Sequence, residues 1–244
     1  MKKILVALLL CISTLAFSQE KTLLRLNYKK GDVYEIKTVM NQNMGEVMTM
    51  DMDMTMSLNV TEVKDNNITT EATFNHVKMS MESMGQKMAY DSNTKESEMD
   101  PFAQGAHAEM KKLIESVVLI ENDTRGNITN TELKSGTADI SAFKDNMGGM
   151  IYPEDPVEVG TTWSASKEQQ GMTIESTYKV TAITDDTVEL EVTGKITGTA
   201  EGTLDGKSNI NKETGNVIKS EVNMAFTVEG QKVGSTITIT STKK

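Results

Sequence analysis

From Met48 to Met56 every even-numbered residue is methionine, and the odd positions between them carry Thr49, Asp51, Asp53 and Thr55. A helix would wind such a pattern around all its sides. A β-strand sorts it into one thioether face and one polar face. The alternation runs on through Leu58 and Val60, so residues 47–59 predict a strand of about 43 Å at about 3.3 Å per residue. Ordinary strands hold about five or six residues, and strands of this length belong to large curved sheets.

Two readings of the thioether face stand side by side. Methionine has three flexible torsions and a polarizable sulfur, which suits a surface that accommodates ligands of irregular shape. An apolar stripe at strand period is equally the face of a packed core.

The first residues have a different character. Lys2 and Lys3 precede an apolar run from Ile4 to Phe17, and Ala16-Phe17-Ser18 stands before Gln19. That pattern is a bacterial-type signal peptide, residues 1–18, with cleavage after Ser18. Cys11, the one cysteine, lies inside the run behind Leu8-Leu9-Leu10, which is not the place of a lipid-modified cysteine. The expected mature product is exported to the periplasm or the outside, soluble and without a thiol. Disulfides, thiolate catalysis and cysteine-based zinc sites are then excluded.

A formal charge of −10 becomes more negative when Lys2 and Lys3 are lost. Such a surface repels phosphate backbones, and no basic stripe with interleaved aromatics exists, so nucleic acid is not an expected partner. No later apolar run is long enough for a transmembrane segment.

Within residues 19–244 the pattern repeats. Val60-Thr61, Val63, Asp65, Ile68, Glu71 and Thr73 recur 120 positions later as Val180-Thr181, Ile183, Asp185, Val188, Glu191 and Thr193. Each set reads as a strand, a turn at Asp65-Asn66 or Asp185-Asp186, and a returning strand. Gly31-Asp32-Val33-Tyr34 is echoed by Gly160-Thr161-Thr162-Trp163 at a spacing of 129. One β-rich domain made of two fused halves, about 19–135 and 136–244, is the expected organisation, with Trp163 taking the place of Tyr34.

Helix signals cluster between the halves. Asp100-Pro101 supplies an N-cap and a first-turn proline, after which Phe102, Ala106, Met110, Leu113 and Val117 fall on one face of a helix from 101 to about 116. Asp139 would cap a shorter helix carrying Ile140, Phe143 and Met147 and ending at Gly148-Gly149. Elsewhere period two returns at Met172–Val180, Val188–Val192, Val222–Val228 and Val233–Ile239, punctuated by expected turns at Asp205-Gly206, Thr214-Gly215-Asn216 and Glu229-Gly230. The predicted fold is mainly β, a β-rich α+β arrangement. Its large curved antiparallel sheet, a duplicated half-barrel, carries one or two amphipathic helices on the concave face.

Several segments together resemble a known group. Lys30-Gly31-Asp32-Val33-Tyr34, Ala89-Tyr90-Asp91-Ser92, Asp155-Pro156-Val157-Glu158-Val159-Gly160-Thr161-Thr162-Trp163 and Asn211-Lys212-Glu213-Thr214-Gly215-Asn216 resemble uncharacterised exported proteins of Gram-negative bacteria. Those proteins are grouped with the half-barrel superfamily of the lipoprotein-localisation carriers LolA and LolB. The resemblance implies an open antiparallel barrel that shelters a lipid or other apolar molecule under helices. It carries over no catalytic residue.

No enzyme is expected from the residues themselves. His76 and His107 are the only histidines and no Gly-x-Ser-x-Gly turn exists, so a serine-hydrolase constellation cannot be assembled. His107-Ala108-Glu109 lacks the Cys-x-x-Cys that zinc deaminases require, and His107 reads as a helix-surface residue. Asp51, Asp53 and Thr55 lack the glycine and terminal glutamate of a calcium loop.

A metal reading does remain as an alternative. Soft thioethers select Cu(I), and Met-x-Met on a strand brings sulfurs to one face. Met50, Met52 and Met54 would be joined by Met79, Met81 and His76 from a neighbouring strand, provided a bulge near Asn75 re-aims His76.

The expected function is therefore non-enzymatic binding of an apolar small molecule or lipid. Met48, Met50, Met52, Met54 and Met56 would line the concave face, and Phe102, Met110 and Leu113 would form the plug. No cofactor is expected on this reading. Alternatives are a periplasmic Cu(I)-binding protein and a structural or interaction protein of the cell envelope.

Overall fold

The computed structural model describes residues 21–141, 149–169 and 171–244. The expected signal peptide, together with Phe143 and Met147 of the second expected helix, lies outside the described residues. Within the described residues the Asp139 carboxylate accepts from the Ser141 N–H at 2.9 Å.

The strands are β1 (Val33–Asn43), β2 (Met48–Lys64), β3 (Asn67–Ser83), β4 (Gln86–Asp91), β5 (Val117–Asp123), β6 (Ile128–Ser135), β7 (Thr162–Gln169), β8 (Met172–Ile183), β9 (Thr187–Gly198), β10 (Ala200–Asn211), β11 (Val217–Val228) and β12 (Gln231–Lys243). The helix α1 (Pro101–Ile114) stands between β4 and β5. Among the described residues the strands form one open antiparallel sheet in the order β6-β5-β3-β2-β1-β12-β11-β10-β9-β8-β7, with β4 paired to β3 beside this path. The predicted class is the observed one: mainly β, one large antiparallel sheet, not closed into a barrel. Its centre is the β1–β12 pair, where the first and last strands of the sheet meet.

β2 is longer than the methionine pattern alone predicts, reaching Lys64. β3 matches its length, and its outer edge is shared. β5 pairs with Asn67–Thr73 and β4 with Lys78–Ser83. Between them Asn75 drops out of the β2–β3 register. This bulge keeps Phe74 and Val77 on one face although three positions separate them.

Directly opposed residues share a face of a sheet, and the registers carry one face across the whole molecule. Met56 opposes Ile36, Ile36 opposes Ser241, Ile239 opposes Ser220, Ser220 opposes Ser208, Ser208 opposes Leu190 and Leu190 opposes Val180. This is the inner face, against which α1 and the segments around Leu24 and Tyr152 pack. The outer face is polar, with ion pairs such as Lys37–Asp53 and Lys134–Glu71.

The two hairpins that repeat in the sequence share a local irregularity. Thr61 is bulged out of the β2–β3 register and Thr181 out of the β8–β9 register. Each threonine hydroxyl donates to a carbonyl of the returning strand at 3.2 Å, Thr61 to Thr69 and Thr181 to Glu189. Gly31 N–H donates to Val60 O at 2.8 Å, and Gly160 N–H to Val180 O at 2.9 Å. Both glycines hold φ near +90°, a region that costs glycine nothing and other residues much.

Two segment expectations need correction. Asp205-Gly206 is not a turn but the middle of β10. Gly206 serves close approach instead, because a Cβ there would collide with the Glu221 backbone oxygen of β11. Gly194 and Gly202 stand in the same situation on the inner face, against Glu175 and Ala225 carbonyls. Three inward glycines on neighbouring strands let the sheet coil sharply here. Likewise α1 ends at Ile114 and Val117 opens β5, since Ser116 turns the chain by donating its hydroxyl to the Lys112 carbonyl at 2.6 Å.

Candidate ligand-binding face

α1 starts where the sequence places it. The Asp100 carboxylate accepts from Ala103 N–H at 2.8 Å and Pro101 occupies the first helical position, while Lys111 and Lys112 lie in the last turn, where they complement the helix dipole. The face it buries is rotated by one residue at its start. Ala103, not Phe102, is the buried position, and it joins Ala106, Met110 and Ile114 against Val77, Tyr90, Met99 and Met54. Leu113 and Ile114 continue the contact onto Phe74, Val118, Met54 and Met56. Phe102 is half-buried and takes part in neither cluster.

The helix thus brings Met54, Met56, Met110 and Leu113 together on the inner face. It does not reach along β2 to Met48, Met50 and Met52, which are half-buried and outside the buried clusters. These residues have thioether neighbours instead. Met52 opposes Met40 on β1 and Met79 on β3, and Met50 opposes Met81, which in turn opposes Met88 on β4.

His76 is on the other side of the sheet. The Asn75 bulge re-aims Phe74 and Val77, leaving His76 opposite Thr55 on the outer face. Its Nε2 lies 2.9 Å from Asp91 Oδ1. Hydrogen bonds from the Asn93 N–H and from His76 hold the Asp91 carboxyl below the usual carboxylate range. His76 therefore does not join the methionines. His107 is half-buried on α1, with Nδ1 3.3 Å from the Tyr90 hydroxyl, whose own ionisation burial pushes up.

On the other half the inner face is carried by Ile174, Val192, Ile196, Leu204, Val222, Met224 and Ile237. Ile174, Val222, Met224 and Ile237 remain half-exposed. Trp163 donates its indole N–H to Ile151 O at 2.9 Å and stacks on Tyr178 with ring centroids 5.3 Å apart. Burial pushes the Tyr178 phenol up.

The two free edges of the sheet line a common cleft of about 290 Å³. β6 contributes Ile128, β7 Ala165 and Lys167, β8 Ile174 and Tyr178, and the crossing segment Ile151. A wider depression of about 580 Å³, lined by Asn41, Asn43, Asp51, Asn223 and Thr236, has mostly outer-face polar groups.

Known proteins resemble this arrangement in part. A family of unknown function, DUF6263, matches residues 131–243, the stretch from the middle of β6 through β12. A solved structure titled "Lipid-protein interactions in lipovitellin" shares the fold with a TM-score of 0.55 at 9% identity, over 89% of this chain and 25% of that one. The chain thus spans about a quarter of that structure's length. No curated protein matches it. The alternation in the sequence puts the β2 methionines on one face of a strand, and the helical period puts Met110 and Leu113 on the side of α1 that packs on the sheet. Neither signal points to Met40 and Met88, whose strands carry no repeated methionine, or to the cleft between β6 and β7, which only the rolled sheet creates.

Proposed function

We propose that the protein is an exported, non-enzymatic carrier whose inner face binds a lipid or lipid-like molecule. The carrying observation is the incomplete cover of that face. α1 shields Met54 and Met56, while Met50, Met52, Ile174, Val222, Met224 and Ile237 stay half-exposed on the same surface. Apolar surface that a single chain leaves open in this way is characteristic of a ligand or partner site. The adaptable thioethers suit acyl chains of varied length and unsaturation. The likeness to the lipovitellin fold, and the resemblance to the lipoprotein-localisation half-barrels, support the same reading. The leading residues 1–18, read as a signal peptide, support a periplasmic or extracellular site of action.

Native mass spectrometry of protein purified from its own cell envelope tests the proposal. The expected result is a co-purifying mass in the lipid range that organic extraction removes and that a fluorescent fatty acid replaces in a saturable manner. Protein that arrives without lipid and gives no saturable uptake of the fatty acid overturns it.

A further inference from the structure

We propose that the end of the inner face beyond α1 is a Cu(I) site built from thioethers alone, centred on Met50, Met52, Met79 and Met81 with Met40 and Met88 at its margins. Two rows of three methionines lie side by side there. One is Met40–Met52–Met79 and the other Met88–Met81–Met50. Opposed residues in antiparallel strands have Cα atoms about 4.5–5.5 Å apart, and successive residues of one face are about 6.6–7 Å apart along the strand. Side chains with three free torsions can span such gaps, so three or four sulfurs can be brought to one point above the sheet by rotamer changes.

Packing alone does not call for this composition. Strand positions favour β-branched and aromatic residues, and the other half of the same inner face is dominated by Ile174, Val192, Ile196, Leu204, Val222 and Ile237, with methionine only at the separated positions Met172 and Met224. None of the six methionines belongs to a buried cluster, and all are half-buried, so these side chains are not committed to the core. Soft thioether ligands select Cu(I) over harder ions. Among the described residues no group of three or more His, Cys, Asp and Glu side chains is arranged to hold a metal. His76 is not a ligand, because it lies across the sheet against Asp91.

Met50 and Met52 also belong to the surface proposed for lipid, so the copper site is tested on lipid-free protein. Anaerobic titration of the purified protein with Cu(I), in competition with a chromophoric chelator, should give stoichiometric uptake, mimicked by Ag(I) and not by Zn²⁺. The variant combining Met50→Leu, Met52→Leu, Met79→Leu and Met81→Leu keeps apolar volume and removes four sulfurs, so Cu(I) affinity should fall at least about a hundredfold. Met54→Leu with Met56→Leu should leave it unchanged, since those sulfurs lie under α1. On the wild type, ¹³C-methyl methionine spectra should shift on Ag(I) addition at Met50, Met52, Met79 and Met81 and not at Met54 or Met56; this readout stands even if the fourfold variant fails to fold. A wild type that cannot compete with the chelator, a folded fourfold variant that retains full affinity, or methyl shifts confined to Met54 and Met56 would each overturn the site. Loss of fatty-acid uptake with Cu(I) uptake intact would count against the carrier reading alone.

Discussion

β2–β3 and β8–β9 are the same hairpin lined in two ways. Both carry a bulged threonine, a hydroxyl-to-carbonyl bond of 3.2 Å and a positive-φ glycine bonded back to the strand. The first presents methionine to the inner face, and of the β2 methionines a helix covers Met54 and Met56 only. The second presents valine, isoleucine and close-approach glycines and is covered by the extended segment around Leu24, Tyr152 and Val157. Backbone irregularities depend on a few turn and bulge residues, so they persist while inner-face side chains are exchanged.

The largest difference should appear at the two anchors. Tyr34 is 1% exposed, packs on Tyr28 and sits at the core of the first half. Tyr34→Ala should cost about 3–5 kcal/mol in urea unfolding. Trp163→Ala should cost less, because Trp163 is only half-buried at the margin of its cluster. Equal losses would mean that the anchors are equivalent in spite of their burial.

Next in size are the inner-face linings. Gly206→Val forces a side chain into the β11 backbone and should destabilise by about 1–3 kcal/mol or more, whereas Met52→Leu should cost less than about 1.5 kcal/mol. Thermal unfolding of both variants sharpens the contrast between a close-packed lining and an adaptable one. A tolerated Gly206→Val would remove the steric argument for sharp coiling in the second half.

The helix distinguishes the halves more gently. Asp100→Ala removes the cap bonded to Ala103 N–H and should cost about 1 kcal/mol. It should also raise hydrogen exchange in α1 without altering β8 or β9. The smallest effect is expected to be symmetrical. Thr61→Val and Thr181→Val each delete one partly solvated hydrogen bond, worth about 0.5 kcal/mol. A loss at one site alone would break the equivalence of the bulges.

Much of this architecture was legible in the residues. The alternation of β2, β8, β9, β11 and β12 and the Asp100-Pro101 start all correspond to observed elements. Other features were not. Gly206 carries the same Asp-Gly signal whether it turns the chain or admits a neighbouring strand, and only its position between β9 and β11 decides. His76 is equally ambiguous, since a bulge shifts the phase of everything beyond it and the direction is set by what must be buried. Val117 fits a helical face and a strand alike until Ser116 ends the helix.

By itself the sequence determined the strand periodicity, the paired hairpins and the thioether face of β2, because these are local patterns set by side-chain alternation and turn chemistry. Tertiary structure alone decided that Met40, Met79, Met81 and Met88 stand beside Met50 and Met52, that α1 covers Met54 and Met56 and stops short of the rest, and that β6 and β7 face each other across a cleft. Those relations depend on register and on how far a sheet of this width coils, and both are fixed by contacts between residues distant in the chain.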